Sequence, residues 1–414
     1  VKIAVIGAGV SGLLAAHMLH REHEIVVYEA NSYAGGHTNT IRVDTEHATH
    51  HIDTGFIVMN DRNYPNFTRL LERLGVATQP TRMSFSVKGE DEDFEYSGTP
   101  LGLLCQPRNL ASPRFQRMIV DLLRFNRELR RVLAHEETGE SLEGFIARHR
   151  FSRAFVERLI VPQVSAVWSA DPRRAQAFPV RFIAEFFANH GMLGFRDRPR
   201  WSTIAGGSAR YVEALTAPFA ERIRLSTPVR SITRAPGHVE VAAAGCSPER
   251  YDQVVVATHS DQALQMLGDP SERESELLRA IPYQRNEAVL HTDGRLLPRR
   301  RAARAAWNFH LLAEPKPLST VTYYMNHLQR LVADRDFCVT LNHSGAIDPA
   351  KIIRTISYSH PVYTPEGVAA QARHASIGGL EQRTHYCGAY WGWGFHEDGV
   401  RSAMRACEPF GVTL

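Results

Sequence analysis

The sequence predicts an α/β protein built on a Rossmann-type dinucleotide fold, and three features of its first thirty residues carry that prediction. Lys2–Ile6 is a short β-branched run, Gly7-Ala8-Gly9-Val10-Ser11-Gly12 follows at once, and the helical pattern LLAAHMLH comes next. G-x-G-x-x-G acquires its meaning in this position, between a strand and a helix. Gly7 permits the tight turn, Gly9 lets a pyrophosphate approach the backbone, and Gly12 lets helix pack on strand. The first amides of that helix, around Val10 and Ser11, are then offered to phosphate oxygens. The next strand, EIVVYEA, ends in Glu29-Ala30, about twenty residues beyond the glycines, where an acid binds ribose hydroxyls. A carboxylate there favours an unphosphorylated adenosine ribose, as in FAD or NAD. The plain alternative, a tight turn next to a surface glutamate, does not account for both features together.

What separates FAD from NAD lies downstream. Gly35-Gly36-His37-Thr38 and Asp53-Thr54-Gly55-Phe56 are two more stretches of permissive backbone along which a long cofactor can run. Near the far end, CGAYWGWGFHEDG (387–399) opens the helical stretch VRSAMRA and supplies a second set of N–H donors. A domain for NAD alone has no need of it, so the expected cofactor is FAD.

Composition narrows the remaining classes. A chain of 414 residues, 43% hydrophobic, is long enough for two domains or one large two-part unit. Its net charge of +4 is mild and rests on arginine, with lysine only at Lys2, Lys88, Lys316 and Lys351, so no nucleic-acid surface is expected. The five cysteines are odd in number and contain no C-x-x-C pair, which suggests neither a disulfide framework nor a zinc site and fits a reducing cytoplasm. His50 and His51 are adjacent rather than four apart and no H-E-x-x-H occurs, so no metal is expected. No apolar run reaches bilayer length, and the apolar start reads as a strand rather than a signal peptide. Neither internal repeats nor low-complexity segments are visible.

Taken together, GAGVSG (7–12), Glu29, AGGHTNT (34–40), DTGF (53–56), AGGSARYVEAL (205–215), VVVATHS (254–260), TYYMNHLQ (322–329) and CGAYWGWGFHEDG (387–399) resemble the FAD-dependent superfamily of flavin amine oxidases, phytoene desaturases and protoporphyrinogen oxidases. The likeness extends to bacterial flavoproteins related to the N-terminal segment of plant cyclopropane fatty acid synthases. It implies FAD in a discontinuous domain of roughly 1–75, 195–285 and 375–414, with an intercalated α+β substrate domain of 76–194 and 286–374. Carried over by position, Gly7, Gly9, Val10, Ser11 and Gly12 form the dinucleotide turn and Glu29, with Ala30, the ribose site. Gly35, Gly36, His37 and Thr38 form the second glycine motif, with Thr38 close to the ribityl chain, and Gly55 and Phe56 follow. Val229 offers its backbone to the adenine. Gly388, Phe395 and His396 lie beside the pyrophosphate and isoalloxazine. The family often has arginine before and after its glycine pair. This chain has Tyr33-Ala34 and His37 there.

Elsewhere the pattern is coarser. Residues 115–134 and 141–165 read as amphipathic helices, and 223–258 alternates like strands around a Pro-Gly turn at 236–237. RFIAEFFANHGML (181–193) reads as a core face, with a lipophilic tunnel wall as the rarer alternative. Pro298-Arg299-Arg300-Arg301 with Arg304 reads as a solvated basic loop. The alternative is a grip on an acidic headgroup or an anionic membrane surface, which makes a peripheral membrane contact the possible partner.

A flavin carries the electron chemistry itself, so the protein has to place a C–H or N–H bond, exclude water and tune the ring. Tyr390, Trp391, His396 and Glu397 are the candidates near that chemistry, His396 as a proton donor or polarising group. The bland reading makes Tyr390 and Trp391 packing, limits His396 to an N–H, and has Glu397 start a helix. Tyr323, Tyr324 and Asn326 are second-tier candidates for the substrate wall. Amine oxidases of the family typically carry a lysine on the strand that reads RNEAVLHTD (285–293) here, and none is present. The expectation is therefore an oxidoreductase that desaturates a small lipophilic substrate, an acyl chain first of all, and passes electrons to oxygen or another acceptor. An amine oxidase and a redox-neutral double-bond isomerase are the alternatives. A non-enzymatic binding protein has no physical need for glycine motifs at both ends.

Overall fold

Lys2–Ile6 (β1), Val10–Leu19 (α1) and Glu24–Tyr28 (β2) form the expected strand–turn–helix–strand unit in the computed structural model, which describes all residues except 91, 136–138, 169–170, 195–197 and 315. Ile223–Arg224 (β3), Gln253–Val256 (β4) and Thr384–Tyr386 (β5) complete a parallel sheet in the order β3-β2-β1-β4-β5. Ile3, Val5, Val254, Val255 and Val256 are fully buried, the continuous apolar reading expected of parallel strands covered on both faces. The strand order reverses between β2 and β4 about β1. This opens a crevice at the carboxyl end of β1, where the glycine turn lies.

A second, seven-stranded sheet runs in the order Ile352–Pro361, Tyr283–His291, Cys338–Leu341, Val321–Tyr324, Trp307–Leu311, Phe85–Gly89 and Glu95–Ser97. It is mixed, with one parallel pair between Trp307–Leu311 and Phe85–Gly89. Helices Pro65–Leu74 (α2), Pro100–Leu103 (α3), Pro107–Ala111 (α4), Pro113–Ala134 (α5), Val161–Trp168 (α6) and Val180–Asn189 (α7) occur between β2 and β3. Helices α5 to α7 enclose an aromatic core in which Phe125, Phe145, Phe155, Phe178 and Phe187 are buried. Phe182, Ile183, Phe186 and Phe187 of α7 point into it, so the apolar stretch at 181–193 is a core face.

One expectation is corrected. The stretch 141–165 is not a single helix. Leu142–His149 stops at Arg150, which takes the left-handed conformation at φ 51°, and Ser152 then caps a new start by accepting from the Phe155 amide. A periodic pattern cannot reveal a break that falls at a polar surface position. By contrast, the strands between 223 and 258 appear as expected, with Gly237 at φ 88° in the turn. No helix among the described residues is long and apolar enough to cross a membrane.

Candidate active site

Each glycine of the first motif meets a different constraint. Gly7 sits at φ 101° with a would-be Cβ 2.9 Å from the Ala257 carbonyl oxygen, and a Cβ on Gly12 would fall 1.9 Å from the Gly7 carbonyl oxygen. A Cβ on Gly9 would meet nothing within 4 Å. That position faces open space at the start of α1, where no side chain caps the first amides. The second motif packs on the first backbone to backbone: the Gly35 amide donates to the Ala8 carbonyl at 2.7 Å, and a Cβ on Gly36 would lie 3.1 Å from the Gly9 Cα. The C-terminal helix His396–Cys407 begins at the same place, with Ser11 Oγ donating to the Gly399 carbonyl at 3.0 Å. Two helix N-termini therefore converge on one point, a favourable field for a diphosphate.

Glu29 is buried at the end of β2. Its carboxylate accepts from the Ala8 amide and from both nitrogens of Asn31, each at 2.8 Å. The Thr227 amide donates to the Glu29 carbonyl at 2.8 Å, which sets Thr227-Pro228-Val229 beside it. A bulge follows Val229 and interrupts its ladder with 238–243. Ala30 is exposed at the rim. Gly388 donates its amide to Ser402 Oγ at 3.0 Å, inside the C-terminal helix.

Further in, Thr38 Oγ1 is 2.6 Å from Tyr211 Oη and 3.0 Å from His396 Nε2, and Tyr211 Oη is 3.0 Å from the same nitrogen. The His396 ring stacks on Phe56 at 3.5 Å. Burial holds this imidazole well below its ordinary pKa, so it is neutral. Gly55 lets the chain pass His37: a Cβ would lie 2.1 Å from the His37 carbonyl oxygen, which accepts from the Phe56 amide at 2.8 Å. Behind this group, fully buried Asp53 accepts from Thr40 Oγ1 (2.5 Å), the Ser208 amide (2.8 Å) and hydroxyl (2.9 Å), and Gln329 Nε2 (3.1 Å). Three distant segments are tied together there, and burial pushes Asp53 up to about 6.

Sequence reasoning missed a histidine cluster next to the glycines. His37 stacks on Tyr358 at 4.9 Å, with His360 at 5.2 Å and His259 at 6.2 Å, and His259 stacks on Tyr283 at 4.5 Å. Burial pushes His37 and His259 to about 4 and His360 to about 3, each with a neighbouring imidazole as the next cause. Asn286 Nδ2 donates to His360 Nδ1 at 3.0 Å, while its Oδ1 accepts from Asn342 and Gln284. His360 thus carries its proton on Nε2. The Nε2 atom of His37 is buried without a partner. The only sequence signal for this cluster was His37, standing where the family often has arginine. The other two histidines come from a loop and a strand about a hundred residues apart in the chain.

The C-terminal segment meets the helical lobe through aromatics. Phe395 stacks on Phe186 at 5.4 Å, Trp168 Nε1 donates to the Trp393 carbonyl at 3.2 Å, and Tyr363 stacks on Phe182 at 5.0 Å. Tyr390 and Trp391 face the other way, into the cluster of Ile6, Val256 and Tyr386, with Trp391 stacked on His374 at 4.0 Å. Glu397 spends its oxygens on the start of α2, accepting from Asn66 Nδ2 (2.6 Å) and the Phe67 amide (2.9 Å). Tyr323 packs edge-on against Trp307. Tyr324 Oη donates to Asp336, and Asn326 bonds the 335–337 loop.

Among the described residues, Glu90, His310 and His343 lie close enough to hold a metal ion. Lys88 Nζ, 3.5 Å from Glu90, and Lys316 Nζ, 3.3 Å from His343, already stand where a cation would. His310 Nδ1 is engaged by Glu90 at 2.5 Å. The trio reads as an ion-pair cluster.

A family model described as flavin containing amine oxidoreductase matches residues 10–302. The chain belongs to this family. It is 30% identical over 179 residues to the mitochondrial protoporphyrinogen oxidase of Nicotiana tabacum, covering 41% of this chain and 33% of that protein. It is 26% identical over 301 residues to an L-amino-acid oxidase of Mus musculus, covering 68% and 46%. The chain thus spans a third to about half the length of these relatives. Solved structures share the fold at low identity. A cyclohexylamine oxidase from Brevibacterium oxydans superimposes with a TM-score of 0.69 at 17% identity over 99% of this chain and 98% of that one. A CLA-producing fatty acid isomerase from P. acnes gives 0.68 at 15% over the same shares.

The family is flavin-containing and its cofactor is FAD, and the residues of this chain fit that group. The open space at Gly9 suits a pyrophosphate, the convergent helix starts suit its charge, and Glu29 beside Thr227–Val229 suits an adenosine. The unpartnered His37 nitrogen lies where a polar ligand would satisfy it.

Proposed function

We propose that the chain oxidises a lipophilic substrate, in the first place a fatty acyl chain, by desaturating it. The carrying observation is the absence of the lysine that amine oxidases of the family typically carry, together with the aromatic junction of Phe182, Phe186, Tyr363, Trp393 and Phe395, packed as core where the C-terminal segment meets the helical lobe. Tyr283–His291, the strand on which amine oxidases of the family typically carry a lysine, contributes Asn286 and Ala288 and no lysine. When bound, FAD supplies a two-electron acceptor for the hydride leaving carbon, with oxygen or another acceptor taking the electrons onward.

The chain's own residues do the rest. First-turn amides of α1 and of the C-terminal helix bind the diphosphate. Thr38, Tyr211 and His396 form a neutral hydrogen-bonding set that orients the ribityl and ring end. The aromatic junction excludes water.

The test is anaerobic mixing of FAD-loaded protein with unsaturated, cyclopropane and methyl-branched acyl lipids beside simple amines, following flavin absorbance and product mass. Bleaching by a lipid with loss of two hydrogens supports the proposal. Bleaching by an amine alone replaces it with the amine oxidase suggested by the family description. An isomeric product without lasting bleaching replaces it with a double-bond isomerase.

A further inference from the structure

Half of the exposed large apolar side chains among the described residues fall within twenty-three positions: Leu101 (73% exposed), Leu104 (55%), Leu110 (40%), Val120 (49%) and Leu123 (51%). They lie on α3, the turn after it, α4 and the outer side of α5, three consecutive helices of the substrate-side lobe. Scattered exposed leucines need no explanation, but a run of them on adjoining helices does.

The charges around this band are equally one-sided. Residues 100–134 contain seven arginines, no lysine and two acids, Asp121 and Glu128. Both acids are buried at the inner side of α5, at 0% and 7% exposure. The outer side of α5 reads Arg114, Arg117, Val120, Leu123, Arg127 and Arg130, all exposed and spaced three or four apart. The apolar residues are therefore flanked by exposed arginines, of which Arg117 and Arg127 also reach back to Asp121 and Glu128 and Arg130 to the Leu193 carbonyl, leaving a net positive band. Arg301 extends the cationic rim, because α3 packs against the short turn Arg301–Ala303. The basic run noted in the sequence divides here. Arg300 is held by Asp93 and Glu95, and Arg304 by the Pro298 carbonyl and Asp336, while Arg299 and Arg301 face outward.

We infer that the outer face of α3, α4 and α5 docks on an anionic lipid surface. Leucine and valine side chains at this height enter the headgroup region, and arginines bury their stems there while their guanidinium groups meet lipid phosphates. A second copy of the chain is the poorer occupant, because a two-fold pairing would set the same arginines against one another. Nothing in this inference depends on which substrate the flavin site takes.

The experiment is flotation of the FAD-loaded protein with phosphatidylcholine vesicles and with vesicles in which a third of the lipid is phosphatidylglycerol, at low and high salt. The bound fraction should rise with anionic lipid and fall with salt. A quadruple variant, Leu101→Ser, Leu104→Ser, Val120→Ser and Leu123→Ser, should weaken binding by about tenfold or more. Val332→Ser, which removes an apolar side chain 93% exposed elsewhere, should leave binding unchanged. Flavin absorbance and elution volume of each variant check that it is folded. Arg114→Glu with Arg301→Glu supplies an independent arm that leaves the apolar residues in place and should also weaken binding. No enrichment on the anionic vesicles, equal binding by the wild type and both patch variants, or a dimer in solution that the quadruple variant dissociates without any vesicle binding overturns the inference.

Discussion

At the scale of single residues, the three glycines of the first motif make separable predictions. Gly9 has an ordinary φ of −78° and open space at its Cβ position, so Gly9→Ala should fold normally yet obstruct the diphosphate. Its apo melting temperature should match the wild type while flavin content after loading falls sharply. Gly12→Ala forces a methyl group 1.9 Å from a backbone oxygen and should lose several kcal/mol of stability, on the order of an overpacked core position, whether or not FAD is present. Glu29→Ala removes the acceptor for the Ala8 and Asn31 amides as well as the ribose partner. Hydrogen bonds to a charged group are worth ~1.5–3 kcal/mol, so FAD should bind roughly 10- to 100-fold more weakly by fluorescence titration. An unchanged dissociation constant would remove Glu29 from the site.

At the scale of elements, Glu397 illustrates how a residue nominated for chemistry can act as a joint. It begins the C-terminal helix and accepts from the first amides of α2, fastening two helices whose starts are more than three hundred residues apart in sequence. Glu397→Ala should cost ~1–2 kcal/mol, the value of a lost helix cap, read as a lower melting temperature with the flavin spectrum unaltered. The break after Leu142–His149 gives the opposite sign. Arg150 holds a left-handed φ of 51° that glycine adopts freely, so Arg150→Gly should raise stability by up to ~1 kcal/mol in a chemical denaturation curve.

At the scale of the whole molecule, titration is dominated by buried imidazoles. Burial pushes His37, His190, His259, His291, His343, His374 and His385 to about 4 and His360 to about 3. Their folded pKa lies below the unfolded one, so between about pH 6.5 and pH 4 the unfolded chain binds more protons and stability falls as pH falls. Asp53 and Asp398, both raised to about 6 by burial, oppose this over part of the window, because their protonated forms are favoured in the fold. Two groups against eight do not reverse the slope, which is ~1.4 kcal/mol per pH unit for each fully titrating group. Thermal melts of the FAD-saturated protein should therefore drop steeply from pH 7 to pH 5. A flat profile would mean that these histidines are not buried neutral.

The sequence by itself determined the dinucleotide unit, because its signals are local. A strand, a glycine turn, a helix and an acid at a fixed distance need only backbone geometry to become Gly7–Gly12 over β1 with Glu29 at the end of β2. The second glycine motif was legible for the same reason, since a side chain on Gly36 would meet the Gly9 backbone and one on Gly35 the Thr38 carbonyl. What only the tertiary structure decided is the company each residue keeps. Tyr390 and Trp391 share a motif with Phe395 yet point to the opposite side of it, and no periodicity distinguishes them. His259 and His360 reach His37 by strand pairings that no local pattern encodes, and Asp53 gains its role from Ser208 and Gln329. Short-range sterics are written residue by residue along the chain, whereas burial and long-range hydrogen bonding exist only once distant segments have met.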